Sequence, residues 1–212
     1  MLTIHAAGLL LTGDPAVAPV PGGAVLVDGG SVAALGPLDA LTAAHPAARV
    51  RRWPGTITPG LLQRHGAPLL ERTYHPDPRE SAELGRLPLT GDRLAALAMT
   101  ETRWAGSARR GLQRMLRYGT TALVGPFRDP VVRTAVARSG LTELPGTPAG
   151  EPDLDPFRTA RGLADAVAVP LAVGARADLA VFDVPDEAGL AAAGAGMCVA
   201  TVLHGRLAYR GR

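Results

Sequence analysis

Apolar and polar residues change over in short bursts through the first third of the chain. Leu9-Leu10-Leu11-Thr12 is a brief apolar run closed by Gly13-Asp14-Pro15. A second run, Gly23 to Asp28, breaks at Gly29-Gly30 and returns as Ser31 to Pro37. Two apolar runs joined through Asp-Gly-Gly predict a β-hairpin. Leu38 to Ala44 predicts a short helix ending before His45-Pro46, and Ala48 to Arg52 predicts another extended piece. The pattern then changes. Residues 91–118 predict helix, with Asp92 as N-cap and Trp104, Ala108, Leu112 and Met115 as one apolar stripe. Gly119 stops it. Thr120 to Val124 predicts a buried strand. Asp129-Pro130 opens a further helix as N-cap and first-turn proline, with Val131, Val132, Ala135 and Val136 inward and Gly140 at its end. The proline-rich, acidic stretch 142–156 predicts an irregular connection. In the tail, Ala177 to Asp183 and Val199 to Leu203 predict strands, the second turning at His204-Gly205-Arg206 into Leu207-Ala208-Tyr209. Strands, then helix–strand–helix, then strands describe an α/β chain.

Composition narrows the chemistry. An apolar share of 47% excludes wholesale disorder, and 26 glycines with 19 prolines favour turns over long helices. Cys198 is the single cysteine, which excludes an intrachain disulfide and a cysteine-cluster metal site. All 22 basic residues are arginine. Without lysine there is no Schiff base, no phosphate-loop lysine and no carbamylated lysine bridging two metals. The net charge of +3 comes from dispersed arginines, adjacent only at Arg51-Arg52 and Arg109-Arg110, and the aromatics are too scattered to stack bases. No nucleic-acid partner is expected. No segment reaches the roughly 18 apolar residues of a membrane span, and Met1 to His5 lacks a basic leader. The expectation is a cytoplasmic protein with no membrane partner.

Three stretches carry a resemblance. Gly55-Thr56-Ile57-Thr58-Pro59-Gly60-Leu61-Leu62-Gln63-Arg64-His65 resembles the approach to the barrel of the metal-dependent amidohydrolases, a superfamily that includes imidazolonepropionases, cytosine-type deaminases and chlorohydrolases. Gly119-Thr120-Thr121-Ala122-Leu123 resembles their next barrel strand. Val173 to Asp183 resembles their return into a small β-sandwich. The resemblance implies a composite β-sandwich from both chain ends, residues 1–60 and 166–212. Between them would lie a truncated, incomplete TIM-barrel-like α/β segment, residues 61–165. Those 105 residues are too few for an eight-stranded barrel, which needs about 200 or more.

The family's chemistry depends on His-x-His at the end of the first barrel strand, where alternation puts both ligands on one side. Here the match reads His65-Gly66-Ala67, and alanine offers no donor. Leu144-Pro145-Gly146-Thr147-Pro148 stands where a Gly-Thr-Asp would be expected, with proline for the carboxylate. No histidine occurs between His75 and His204. A catalytic zinc needs about three protein ligands, and only His65, His75, Glu71 and Asp77 cluster in sequence.

These observations lead to a non-catalytic, amidohydrolase-like binding or accessory protein. No catalytic residue, no metal and no cofactor are expected, with His65 as a relic of a ligand. Arg64, His65 and His75 are the candidates for contact with a small-molecule ligand. The plainer expectation for His65 is a partly exposed side chain at a strand end, and for His75 a loop histidine beside prolines. A truncated barrel would leave strand edges open, so a homodimer or a protein partner is expected to cover them. The alternative is a hydrolase of non-peptide carbon–nitrogen bonds, using zinc or another divalent metal held between subunits.

Overall fold

The computed structural model describes residues 1–148 and 150–211. Ala149, within the predicted connection, lies outside them. In chain order the first elements are β1 (Leu2–Ala6), β2 (Leu9–Leu10), β3 (Val20–Pro21), β4 (Gly23–Asp28), β5 (Ser31–Pro37), α1 (Leu38–Ala44), β6 (Arg49–Arg52), β7 (Thr56–Pro59) and β8 (Leu61–Gln63). The middle contains α2 (Gly66–Glu71), α3 (Ser81–Leu84), α4 (Gly91–Ala95), α5 (Glu101–Leu116), β9 (Thr120–Gly125), α6 (Pro130–Ser139) and β10 (Thr142–Pro145). The tail adds α7 (Leu163–Ala166), β11 (Leu179–Phe182), α8 (Glu187–Ala193), β12 (Cys198–Leu203) and β13 (Arg206–Arg210).

The chain divides into two compact units. One comprises Met1–Leu62, Leu116–Thr121 and Asp155–Arg212; the other comprises Gln63–Met115 and Ala122–Leu154.

The first unit is a composite β-sandwich. A four-stranded sheet runs β5-β4-β1-β6, and a six-stranded sheet runs β13-β12-β11-β7-β2-β3. The chain ends meet where β11 pairs antiparallel with β7, from Leu179 opposite Pro59 to Phe182 opposite Thr56. Alternation buries one face of each sheet. Leu10, Ile57, Val181 and Val202 of the larger sheet share a core with Val25, Val27 and Val32 of the smaller one. The expected hairpin is β4–β5, and α1 has the bounds read from the sequence. The β12–β13 turn places His204 and Gly205 at φ 51° and 73°, the left-handed pair that two-residue hairpins require.

In the second unit, β9 and β10 pair in parallel, from Ala122 opposite Thr142 to Gly125 opposite Pro145, with α6 connecting them. They belong to a three-stranded sheet ordered β10-β9-β8. All of β9 is buried. A mixed α/β fold with a sandwich and a short barrel-like segment is therefore what this chain forms.

Two expectations need correction here. Residues 142–145 form a strand, because a parallel partner supplies hydrogen bonds that local composition does not reveal. The predicted helix over 91–118 is two helices. Thr90, not Asp92, precedes the first, and Asp92 lies in its first turn. The Thr100 hydroxyl accepts from the Arg103 amide at 3.2 Å and starts the second helix afresh. Within α5 the stripe is buried at Ala108, Leu112 and Met115, while Trp104 is half-buried.

Candidate functional site

The segment after β8 holds every residue that the sequence marks for chemistry. Strand β8 ends at Gln63. The Gln63 side chain then fixes the turn: its Oε1 accepts from the His65 amide at 2.9 Å, and its Nε2 donates to the Asp153 and Leu154 carbonyls at 3.0 and 3.1 Å. His65, at φ −98° and ψ 30°, occupies the N-cap position of α2. Residues 65 and 67 therefore do not share a strand face, since position 67 lies inside a helix. A methyl group on Gly66 would come within 2.6 Å of the Val124 carbonyl oxygen, so glycine lets α2 begin directly against β9.

His65 is buried, with 2% exposure, and is not the partly exposed histidine expected at a strand end. Burial follows from the helix that starts at its own position. Arg64 is half-buried. His65 and His75 stand before and after α2, and Arg64 precedes both.

His75 is a loop histidine beside Pro76, as expected, and it is fully buried. Gly111 of α5 makes room for it, since a Cβ there would lie 2.8 Å from the imidazole. Nε2 lies 2.9 Å from the Leu69 carbonyl oxygen, and the His75 amide donates to Ser107 Oγ at 2.9 Å. Among the described residues Nδ1 has no partner. Desolvation holds the ring down to about 4; Arg114 and Arg110 act in the same direction, against the Leu69 contact.

The carboxylates that cluster with the histidines in sequence have structural tasks. Glu71 Oε1 accepts from the Asp129 amide at 2.8 Å and from the Arg128 amide. Asp77 and Glu80 form a capping box, and Asp77 also pairs with Arg110 at 3.2 Å. Tyr74 donates to Glu80 at 2.6 Å, and Arg103 donates to both: 3.1 Å to the phenol and 2.8 Å to Glu80. The Arg103 and Arg110 guanidinium carbons stand 5.1 and 5.8 Å from the Tyr74 ring centre. Burial first, then the Glu80 hydrogen bond, pushes the Tyr74 phenol up. No pattern in the sequence joins Tyr74 to Arg103; only packing does.

The arrangement does not fit a catalytic metal. His65 stands at the N-cap position of a helix and not on a strand face with residue 67, Ala67 has no side-chain donor, and Glu71 and Asp77 are bound to backbone amides. Among the described residues no three His, Cys, Asp or Glu side chains stand together as a metal site needs. Cys198 is buried in the sandwich, where desolvation pushes its thiol up to about 11. Among the described residues no helix is long and apolar enough to cross a membrane.

Residues 23–48 match the family described as the imidazolonepropionase-like composite domain of bacteria. They cover β4, β5, α1 and the start of the following loop, so the amidohydrolase resemblance also holds in a part of the sandwich that the motifs above do not include. Solved structures to which the chain is similar include an adenosine deaminase from Xanthomonas campestris (20% identity, TM-score 0.49, covering 67% of this chain and 33% of that one). Others are the A. niger ochratoxinase (18%, TM-score 0.46, 68% and 31%) and the E. coli guanine deaminase (21%, TM-score 0.43, 73% and 38%). The chain spans about a third of the length of these structures. No curated protein sequence matches it.

Proposed function

We propose that this chain is an amidohydrolase-like binding or accessory protein that carries no metal-hydrolase site of its own. One observation supports the reading above the others. The backbone leaves β8 at Gln63 and turns into α2 at His65, which puts Ala67 in a helix. The strand geometry that would present two ligands side by side is replaced, not merely mutated. The sandwich that frames the family's barrel is retained, and the role left to the chain is recognition.

The test is metal titration of the purified protein, followed by dialysis and elemental analysis, for wild type and His65→Ala. The expected result is less than one equivalent of retained zinc, iron or manganese in both. One equivalent held by wild type and lost in His65→Ala, together with hydrolysis of cyclic ureas or aminopurines, would overturn the proposal in favour of a hydrolase. Light scattering of the same sample tests the expected homodimer, for which a strict monomer that captures no partner protein is the contrary outcome.

A further inference from the structure

The second unit contains a cleft of about 480 Å³ at the heads of α5 and α6. Small-molecule sites run from about 300 to 1,000 Å³. Leu97, Met99, Trp104 and Val131 form its apolar walls, and Glu101 and Asp129 are its acidic residues. Among the described residues that line it, none is basic.

Each class of ligand meets a different reception here. An anion would be drawn to free amides at the head of α6, but these are filled: Asp129 Oδ1 accepts from the Val131 and Val132 amides at 2.7 and 3.1 Å. It would also face two carboxyl side chains. A neutral apolar molecule would leave both acids idle against its surface. A cation on an apolar body uses everything present. Its body would cover Leu97, Met99 and Val131, while its charge would sit by Glu101 and Asp129, with Trp104 among the lining residues as an aromatic partner of the kind that attracts cations. We infer that this cleft binds an organic cation, an ammonium group carried on an aromatic or branched apolar body. No residue of the His65 turn lines the cleft, so the inference stands whether or not a metal is found there.

The test uses the full chain, with benzyltrimethylammonium as probe and 3-phenylpropionate as its anionic counterpart, followed by calorimetry and by the Trp104 indole resonance. Saturable one-to-one binding of the cation is expected, with none of the anion. Glu101→Gln, an exposed change, should weaken it roughly threefold to fivefold, as should Trp104→Leu. Added salt should weaken it further. No saturable binding of the cation, equal binding of the anion, or an unchanged affinity in Glu101→Gln would each overturn the inference. Should Trp104→Leu fail to fold, the Glu101→Gln comparison and the indole shift decide the matter alone.

Discussion

The sandwich unit buries Ile57, Leu179, Val181, Phe182 and Ala200 on adjoining strands, where backbone ladders already satisfy the peptide groups. Both units bury polar side chains, the sandwich His5, Thr56, Thr58 and Thr201 and the middle unit His65, Thr73, His75 and Ser107, but the sandwich has sheets of four and six strands to carry its backbone and the middle unit has only the short ladder of β9 and β10. There, side chains hold the backbone: Ser107 holds residue 75, Glu71 holds residues 128 and 129, and Gln63 holds residues 153 and 154. Strand ladders tolerate many apolar substitutions of similar volume, because the hydrogen bonds belong to the backbone. Side-chain pins do not, because each loses its bonds with its residue. The comparison teaches that the retained frame of this fold is generic, while its shortened middle depends on individual side chains.

Four experiments put this contrast at risk. The largest effect should come from Phe182→Ala, which empties a fully buried site in the sandwich. A loss of about 3–5 kcal/mol is expected in urea unfolding. A loss under about 1 kcal/mol would show that the sandwich core is not what holds that unit.

Next comes acid. His5 and His75, one in each unit, are both held down to about 4 from 6.5, first by burial. For His5, Arg51 adds to this, and Nδ1 already accepts from Trp53 Nε1 at 3.1 Å. Between pH 6.5 and 4 the unfolded chain binds more protons than the folded one, so stability rises with pH across that window. It is fully present above 6.5 and is lost as pH falls toward 4. Each ring contributes at most on the order of 3 kcal/mol. Urea melts at pH 7 and 4.5 should therefore differ steeply for wild type and less for His5→Gln or His75→Gln. Equal pH dependence in all three would refute the assignment.

A smaller effect, about 1–2 kcal/mol, is expected for Glu80→Ala, which strips Tyr74 and Arg103 of their shared partner at a partly exposed site. Amide exchange should accelerate over residues 74–80 and 101–105 and stay unchanged in β11 and β12. Acceleration in those strands would mean the two units unfold together. Smallest is Asp129→Ala, about 1 kcal/mol for the lost cap of α6, seen as faster exchange at Val131 and Val132.

Much of the frame was legible in the sequence because its signals are local. Asp28-Gly29-Gly30 announces the β4–β5 hairpin, Leu38 to Ala44 carries its own period, and Asp129-Pro130 is a cap and a first turn in adjacent residues. What was not legible depends on distant partners. Strand β10 exists because β9 lies beside it, and the burial of His75 requires a glycine 36 residues further on, at Gly111. At the candidate site, the missing donor at Ala67 could be read directly. The turn at His65 could not, because it rests on Gln63 reaching Asp153 and Leu154, 90 and 91 residues away.

The helix that begins at Gly66 also closes a door. Placing histidine at position 67 would not give a His-x-His pair on one face, because residues two apart on a helix do not face each other. Bringing positions 65 and 67 onto one strand face would require rewinding the stretch from Arg64 to Glu71 as strand and displacing the Val124 carbonyl that Gly66 now rests against. A single codon change cannot do that, so the separation of positions 65 and 67 is written in the path of the main chain and does not hang on the residue at 67 alone.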